Sequence, residues 1–296
     1  MSDIQDGSSL MRILKRLGLH RLAWSARRLH CPVPSSALVL DVGSGGNPYP
    51  RANVLLDAYE DTPERYHLPL MKDRPMVLGT AEQMPFRDHA FDFVIASHIL
   101  EHTSEPERFI SELIRVGKAG YIETPDGFFE RINPFRFHRL EVSVKDGLLM
   151  IYKKPSWRHD AYLVDLYENQ LKCERFIAFT SSCPRPFYVR YYWNNSINYK
   201  VVNPNVNANW PLPDVEYPKT EVGLRYHFVG LIRSLFSQTR RNAKLNLFDF
   251  LACPSCHSVD FSTSDECITC KGCGQAYPVR QGIPVMYPAA KPNHNG

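Results

Sequence analysis

An alternation of apolar strands with a helix over residues 37–125 constrains the fold of this 296-residue chain most strongly. Its apolar segments that fit buried strands are Ala37–Val42, Asn53–Leu56, Met76–Leu78, Phe91–Ala96 and Gly120–Ile122. Between the last two, Glu105–Val116 repeats its apolar residues at helical spacing. Strands that alternate with helices are typical of a parallel sheet covered by helices, so we predict an α/β fold.

The first strand ends in a glycine-rich turn over residues 41–46, which suits close approach to a ligand. Glycine has no side chain, so the backbone N–H groups of the turn can reach a bound molecule. Nicotinamide and flavin sites also use such turns, but these glycines lack the dinucleotide spacing. Asp41 precedes the turn and Asp57 ends the second strand. Carboxylates at these two points suit a ligand that carries a cationic centre and ribose hydroxyls.

Four further segments, taken together with this turn, resemble a known protein family. They are Ala81-Glu-Gln-Met-Pro-Phe86, Phe91-Asp92 with Val94, Ser97-His-Ile-Leu-Glu-His102 and Gly120-Tyr-Ile-Glu-Thr-Pro125. With the turn, they resemble the class I S-adenosylmethionine-dependent methyltransferases over residues 38–125. The resemblance implies a Rossmann-like sheet that binds S-adenosylmethionine. The cofactor contacts that it implies are Asp41, Gly43, Ser44, Gly45, Gly46, Asp57, Thr80, Ala81, Glu82 and Ser97. Many relatives have Asp at position 80, so here we expect a backbone carbonyl to contact the adenine.

Methyl transfer depends mainly on alignment and on exclusion of water, but a hydroxyl acceptor also needs a base. His98, just past the fourth strand, has the best position for that role, and His102 and His138 are further candidates. His102 fits equally well as a residue bonded to backbone. Glu123, after the fifth strand, fits a base, an acceptor-orienting group or the partner of an arginine. These histidines and a carboxylate offer no tight ligand spacing, so we expect no catalytic metal.

Two Cys-x-x-Cys pairs near the end of the chain predict a metal site. The pairs are Cys253 with Cys256 and Cys270 with Cys273, and thirteen residues separate them. Four thiolates leave no open coordination position, so we predict structural Zn²⁺ rather than reduced buried thiols. Cys267 offers a competing register with Cys270. The glycines at 272 and 274 favour the later pair because they give its turn backbone freedom.

The sequence around these cysteines carries a second resemblance. Leu251-Ala-Cys-Pro-Ser-Cys256 and Ala276–Met286 resemble the small zinc-ribbon activator of tRNA, rRNA and release-factor methyltransferases. That subunit binds a class I methyltransferase in trans and stabilises it. The resemblance spans residues 247–287 and implies that the ribbon docks in cis as a stabilising or activating module.

The N-terminus and the middle of the chain each leave two interpretations open. Residues 8–30 alternate apolar and basic residues at helical spacing, which fits a helix packed on the main domain or a basic helix on a membrane or RNA. The aromatic-rich stretch at 126–225 fits a core or a substrate site. In that stretch, Phe187–Trp193 and Ile197–Val202 predict a β-hairpin around residues 194–196, and Arg139–Lys154 predicts another.

These features divide the chain into five parts. They are a basic amphipathic helix at 1–36, a class I methyltransferase domain with an aromatic-rich β insertion at 37–225, a helical linker at 226–246, a zinc ribbon at 247–288 and a disordered tail at 289–296. The net charge of +4 permits an acidic partner without requiring one. The sequence shows no membrane span or signal peptide, so we expect a cytoplasmic protein, with peripheral membrane contact through the first helix left open.

The function that these observations favour is S-adenosylmethionine-dependent O-methylation of a small molecule, a sugar or a lipid-linked glycan. The absence of the Asn/Asp-Pro-Pro-Tyr motif of many amino-methylating nucleic-acid enzymes favours this choice. The ribbon favours an alternative, methylation of tRNA, rRNA or a translation protein. A non-catalytic scaffold that binds the cofactor is a third hypothesis, and the intact glycine turn disfavours it.

Overall fold

The structure is a computed structural model that describes residues 7–157, 159–211, 223 and 235–289. Its helices are α1 (Ser9–Arg16), α2 (His20–Ala26), α3 (Pro106–Val116), α4 (Gly127–Ile132), α5 (Ala161–Leu166), α6 (Glu174–Ser182) and a short helix at Thr239–Asn242. Its strands are β1 (Val39–Val42), β2 (Val54–Asp57), β3 (Met76–Leu78), β4 (Phe93–Ser97), β5 (Ala119–Pro125), β6 (Leu140–Lys145), β7 (Leu148–Lys153), β8 (Tyr188–Asn194), β9 (Tyr199–Val201), β10 (Phe261–Thr263), β11 (Cys267–Cys270), β12 (Ala276–Arg280) and β13 (Ile283–Pro284). Single helical turns lie at Arg27–Leu29, Pro63–Arg65, Leu100–His102, Tyr167–Leu171 and Leu247–Asp249.

A six-stranded sheet in the order β3-β2-β1-β4-β5-β8 forms the centre of the fold. Its strands are parallel except β8, which pairs antiparallel with β5. The central strands are buried on both faces, as expected for apolar runs covered by other elements. The predicted α/β fold is therefore confirmed. Because parallel strands end at one edge, the residues that follow β1, β2 and β4 come together there.

The N-terminal segment forms two helices where the sequence predicts one. The helix α1 ends at a turn in which Gly18 has a φ of +73°, a value that favours glycine, and α2 begins directly after it. The α2 segment packs on the main domain, with the ring of Trp24 5.3 Å from that of Tyr188. The sequence allowed either a helix packed on the main domain or a basic helix on a membrane or RNA. The position of Trp24 agrees with the packed helix.

One predicted hairpin is confirmed and the other is wrong. The strands β6 and β7 pair antiparallel around Asp146 and Gly147, whose positive φ values suit a two-residue turn. The strands β8 and β9 do not pair with each other, because β8 joins the central sheet and β9 pairs parallel with β7. The aromatic residues of β8 are buried against the sheet, which supports their interpretation as core.

The C-terminal strands β10 to β13 form a small sheet that contacts the edge of the central one. Val285 forms a parallel bridge with Leu78 of β3, and the N–H of Met286 donates to the Leu78 carbonyl at 2.7 Å. Leu251 bridges Phe86 in the antiparallel sense. Leu251, Phe86 and Met286 are fully buried in one continuous core, so the two sheets share apolar packing.

The predicted linker at 226–246 lies partly, and the predicted tail at 289–296 mostly, outside the described residues. The parts outside are residues 226–234 and 290–296. Within the described part of the linker, Asn242 accepts from Asn53 Nδ2 at 2.8 Å and is fully buried. None of the described helices has the length and hydrophobicity that a membrane span requires.

Candidate functional site

Two adjoining cavities open where β1, β2 and β4 end. The β2-side cavity has a volume of about 120 Å³ and is lined by Asp57, Tyr59 and Ala81 among others. The His138-side cavity has a volume of about 430 Å³, and Asp41 and His138 are among its lining residues. The residues that line both cavities are Gly43, Gly45, Glu64, Arg65, His98 and His102. The combined space falls in the range of small-molecule sites.

Two features fix the conformation of the glycine turn: the lack of room for a side chain at Gly43, and hydrogen bonds to the carboxylates of Asp41 and Asp57. At Gly43 φ is +69°, and a Cβ atom there would lie 2.9 Å from the side chain of Ile99. Asp57 Oδ2 accepts the N–H of Gly45 at 2.8 Å, and Asp41 Oδ2 accepts the N–H of Tyr49 at 2.7 Å. Glycine is therefore required at position 43, and the carboxylates fix the turn around the cavities.

Burial sets the charge behaviour of these two carboxylates. It raises the pKa of Asp41 to about 6, although the hydrogen bond from Tyr49 and the charge of Arg28 oppose this shift. Burial also raises the pKa of Asp57, against its hydrogen bonds from Tyr59 and Gly45. A buried carboxylate with a raised pKa gains from a nearby positive charge. The turn thus favours a ligand with a cationic centre next to Asp41.

The remaining predicted cofactor residues separate into two groups. Ser44, Gly46 and Ser97 line the His138-side cavity, and Ala81 lines the β2-side cavity. Thr80 and Glu82 are absent from both linings as far as the described residues show, and Glu82 accepts the hydroxyl hydrogen of Thr103. The structure therefore brings most of the predicted set to the cavities, with Thr80 and Glu82 beside them.

His98 lies at the boundary of both cavities between two buried carboxylates. Its Nδ1 atom is 3.3 Å from Glu101 Oε1, and its Nε2 atom is 3.3 Å from Glu123 Oε1. Burial lowers the pKa of His98, but the neighbouring carboxylates of Glu101 and Glu123 outweigh burial and raise it to about 9. The imidazole is consequently protonated at neutral pH. In this arrangement His98 is a cation in the cavity wall, which does not suit the predicted role of general base.

Glu123 pairs with an arginine, one of the roles predicted for it. Its carboxylate is fully buried and accepts from Arg27 at 2.7 and 3.0 Å and from the Tyr121 hydroxyl. Burial alone would raise the pKa of Glu123, but bonds from His98 and Arg27 hold it well below its usual range. A buried carboxylate with these donors cannot take a proton from an acceptor, so its role is to position His98 and Arg27.

His102 and His138 are brought together at the wall of the His138-side cavity. Their ring centroids are 4.8 Å apart, with the rings nearly perpendicular. His102 Nδ1 is 3.0 Å from Glu64 Oε2, and His138 Nδ1 is 2.6 Å from Glu130 Oε2. Carboxylates therefore orient both rings, and backbone bonding does not explain His102.

Several residues of the cavities were missed in the sequence. They are Arg28, Glu64, Arg65 and Phe135, together with Glu101 behind His98. Arg65 donates to the Leu68 carbonyl at 2.7 Å and lies 3.4 Å from Asp57 Oδ1. Glu101 lies in the segment Ser97–His102, which carries part of the family resemblance. Its position between His98 and His102 in that segment could have predicted a carboxylate beside these histidines. Arg28, Glu64 and Arg65 lie on short helical turns and Phe135 lies in a loop, and no motif in the sequence marks them as cavity residues.

The four predicted cysteine ligands form one cluster at the ribbon. The sulfur atoms lie within 4.8 Å of one another, with Cys253 and Cys273 3.6 Å apart and Cys256 and Cys270 3.5 Å apart. A tetrahedral Zn²⁺ with four thiolates has sulfur atoms about 3.8 Å apart. The cluster therefore fits a closed structural zinc site. Cys267 lies outside it, 3.8 Å from the Thr269 hydroxyl.

Comparison with protein families matches both parts of the chain. A family model described as a methyltransferase domain matches residues 40–122, and a Trm112p-like protein model matches residues 244–282. These ranges contain the glycine turn with the Ser97–His102 segment and the four-cysteine cluster, respectively. The matches agree with both resemblances inferred from the sequence.

Comparison with individual proteins gives shorter matches. Ajmaline N-methyltransferase of Rauvolfia serpentina is 44% identical over 43 residues, which cover 14% of this chain and 15% of that protein. A UPF0434 protein of Nitrosococcus oceani is 46% identical over 41 residues, which cover 14% of this chain and 70% of that protein. The chain thus spans only about a seventh of the plant enzyme but over two thirds of the small UPF0434 protein.

Among solved structures, the chain is similar to a chain in the complex between the Haloferax volcanii Trm112 methyltransferase activator and a methyltransferase. The two chains are 14% identical, with a TM-score of 0.36. The match covers 67% of this chain and 99% of the matched chain. A score at this level carries no inference beyond the family matches. The family matches therefore make residues 40–122 similar to methyltransferase domains, and residues 244–282 similar to Trm112p-like proteins and to the UPF0434 protein.

Proposed function

We propose that this protein transfers the methyl group of S-adenosylmethionine to a hydroxyl of a small molecule, a sugar or a lipid-linked glycan. The observation that carries the donor assignment is the turn in which Asp57 holds Gly45 at 2.8 Å beside a buried Asp41. The side chain of Ile99 leaves no room for a Cβ atom at Gly43, so the turn stays as bare backbone beside the cavities. These residues fit a nucleoside with a cationic tail.

S-adenosylmethionine, when bound, supplies a methyl group on a sulfonium that is already a good leaving group. Asp57 would accept hydrogen bonds from the ribose hydroxyls, and Asp41 would face the positive charge of the methionine part. Ala81 would border the adenine. His98, as a cation, would hold the wall between both cavities in place and donate hydrogen bonds. These residues bind and orient the reactants, which is the main requirement of an in-line displacement.

The acceptor assignment rests on the character of the His138-side cavity. Its wall combines Arg28, Glu64 and Arg65 with three histidines, which suits an acceptor with several hydroxyl groups better than an apolar one. Phe135 adds an apolar surface against which a ring can pack. A sugar or a polyhydroxylated small molecule combines both properties.

Replacement of Asp57 by Asn tests the donor assignment. Asn keeps the shape of the side chain but loses its charge and half of its acceptors, so affinity for S-adenosylmethionine should fall at least tenfold in calorimetry. Asp61→Asn is the matched control, because Asp61 is an exposed carboxylate that pairs with His67. Equal affinity of the Asp57 variant and the control would refute the donor site.

The Trm112p-like part favours a second candidate function, methylation of tRNA, rRNA or a translation protein. Incubation with methyl-labelled S-adenosylmethionine and a lysate of a deletion strain separates the two. Label that solvent extraction removes supports the small-molecule or glycan acceptor, and label removed by RNase or protease supports the second candidate. Donor binding without transfer to any fraction would instead support a non-catalytic scaffold.

We further propose that the ribbon stabilises the donor site in cis. Met286 bonds to β3 one residue before Gly79, which lines the β2-side cavity. The Tyr287 hydroxyl donates to the Ala58 carbonyl at 2.6 Å, next to Asp57. Removal of residues 245–296 should therefore lower both thermal stability and donor affinity. Tyr287→Phe, which removes one of these bonds, should weaken donor binding with zinc still bound; unchanged values in both variants would refute this role.

Contact of the first helix with a membrane remains a prediction. Leu10, Ile13 and Leu17 are exposed on α1 and its C-terminal turn, beside Lys15 and Arg16. Exposed leucines next to basic residues favour binding to anionic lipid surfaces. Sedimentation with vesicles of phosphatidylcholine and phosphatidylserine checks this prediction. Equal sedimentation of the protein and a Leu17→Glu variant would contradict it.

A further inference from the structure

We propose that Glu101, His102 and His138 bind a divalent transition-metal ion at the wall of the His138-side cavity, separate from the ribbon zinc. One ligand atom from each residue lies within 4.8 Å of the other two. A triangle of that size needs its corners to move inwards by less than about 1 Å to meet an ion at 2.0–2.2 Å. Two histidines and one carboxylate form a donor set of catalytic zinc and non-haem iron sites.

The orientation of the histidines favours this assignment. His138 Nδ1 is 2.6 Å from Glu130 Oε2, so its Nε2 atom points elsewhere and lies 3.9 Å from Glu101 Oε1. His102 Nδ1 lies 3.0 Å from Glu64 Oε2 without hydrogen-bond geometry, so the structure does not single out one of its two nitrogens as the ligand atom. Metal-binding histidines in proteins characteristically pair their other nitrogen with a carboxylate, as His138 does with Glu130.

The carboxylate of Glu101 is a second observation that favours a cation at this place. Its side chain is 1% exposed, and neither carboxylate oxygen has a hydrogen-bond partner of normal geometry among the described residues. The nearby imidazole of His98 lies 3.3 Å away as an ion pair. A buried carboxylate that lacks hydrogen bonds is costly, and coordination to a cation removes that cost.

The surrounding charges also suit a cation. Glu64 and Glu130 face the two histidines, and Glu101 lies behind them. Lys154 Nζ pairs with Glu130 Oε1 at 2.5 Å. Three carboxylates thus converge on a volume in which Lys154 and His98 supply two positive charges, so the cluster keeps a net negative charge that attracts a cation.

The three metal-binding residues lie on two segments that a backbone hydrogen bond joins, and the cavity leaves room for one more ligand of the ion. Glu101 and His102 lie on the helical turn Leu100–His102, and the N–H of Arg139, next to His138, donates to the Glu101 carbonyl at 2.7 Å. Both histidines line the cavity, so an ion would keep a coordination position open to it. An acceptor hydroxyl bound there would lose its proton to solvent more readily. This last role, unlike ion binding, rests on the proposed methyl transfer.

Titration of metal-free, full-length protein with Co²⁺ tests the site without donor or acceptor. The ribbon should give an intense near-ultraviolet thiolate band with one equivalent. The new site should give a second equivalent with weak visible bands and no thiolate band, because its ligands are nitrogen and oxygen. A single equivalent with only the thiolate spectrum would overturn the proposal.

Variants assign the second equivalent to residues. Glu101→Gln and His138→Gln should each lower its affinity at least tenfold and keep the thiolate band, which also reports that the ribbon is folded. Cys256→Ser should instead remove the thiolate band and keep the second equivalent. His67→Gln is the matched control, since His67 pairs with Asp61 outside the cluster, and should bind both equivalents. Wild-type affinity in both cluster variants would overturn the assignment. Methyl transfer can fail on every acceptor without changing these results.

Discussion

Replacement of His98 by Asn should destabilise the protein in a strongly pH-dependent manner. His98 is protonated between Glu101 and Glu123, each 3.3 Å from one of its nitrogens, and Asn cannot supply that charge. Asn is chosen because His98 has a φ of +57°, which Asn tolerates better than most residues. The variant therefore removes the cation with little added backbone strain.

The pKa of His98 sets the magnitude and the pH range. A rise from the usual 6.5 to about 9 corresponds to about 3.4 kcal/mol at full strength. The side chain is 37% exposed to the cavity, so solvent screening reduces this to about 1–2 kcal/mol. Because the pKa is raised in the folded state, this stabilisation is fully present below pH 6.5 and is lost as the pH rises through 9.

Denaturant unfolding of the wild-type protein and His98→Asn at pH 6, 7.5 and 9.5 measures the difference directly. We expect the largest difference at pH 6 and most of it to vanish by pH 9.5. His67→Asn is the matched control, because His67 also has a positive φ of 56° but pairs with an exposed carboxylate. A difference that is constant with pH, or equal in the two variants, would show that His98 is not a cation held between these two carboxylates.

Three further predictions concern the donor turn and the ribbon. Affinity for S-adenosylmethionine should rise by up to about tenfold per pH unit below 6 and level off above 7, because Asp41 has a pKa of about 6 and only its ionised form attracts the cation; calorimetry across pH 5–8 checks this. Cys270→Ser should remove the ribbon zinc and lower the melting temperature, whereas Cys267→Ser should keep both, as metal analysis and calorimetry will show. Gly43→Ala should cost at least about 1 kcal/mol of stability and abolish donor binding, because its Cβ would lie 2.9 Å from Ile99 at a positive φ; normal donor binding would contradict the role of the turn.

The sheet and the donor turn could be predicted because their signals are local. Each central strand is a short apolar run, and the residues after β1 and β2 must meet at one edge of a parallel sheet. The helix predicted at Glu105–Val116 is observed at Pro106–Val116 for the same reason. The metal site of the ribbon could be predicted for the same reason, since the two ligands of each cysteine pair lie on one tight turn.

The pairing of the later strands and the histidine cluster could not be read locally. The short segment Asn194–Ser196 resembles a hairpin turn, but β8 gains more by closing the edge of β5 along its whole length, from Ala119 to Pro125. The charge of His98 depends on Glu123, twenty-five residues away in the sequence and on the neighbouring strand. A histidine in a sequence carries no sign of the carboxylates that will surround it, so its role as base or cation has to come from the structure.

The two family-matched parts meet beside the proposed donor site, and this contact is the physical basis of the cis role that we propose for the ribbon. The central sheet ends at β3, and a strand at the edge of a sheet is prone to open or to pair with other chains unless it is covered. Met286 covers this edge through its bond to the Leu78 carbonyl. Gly79 and Ala81 follow directly and border the β2-side cavity. Disorder at the edge would therefore loosen the adenine end of the site before it reached Asp41 or His98. If the ribbon has the cis role proposed above, we expect its removal to weaken donor binding through β3 and to leave the His138-side cavity unchanged, whichever acceptor the enzyme uses.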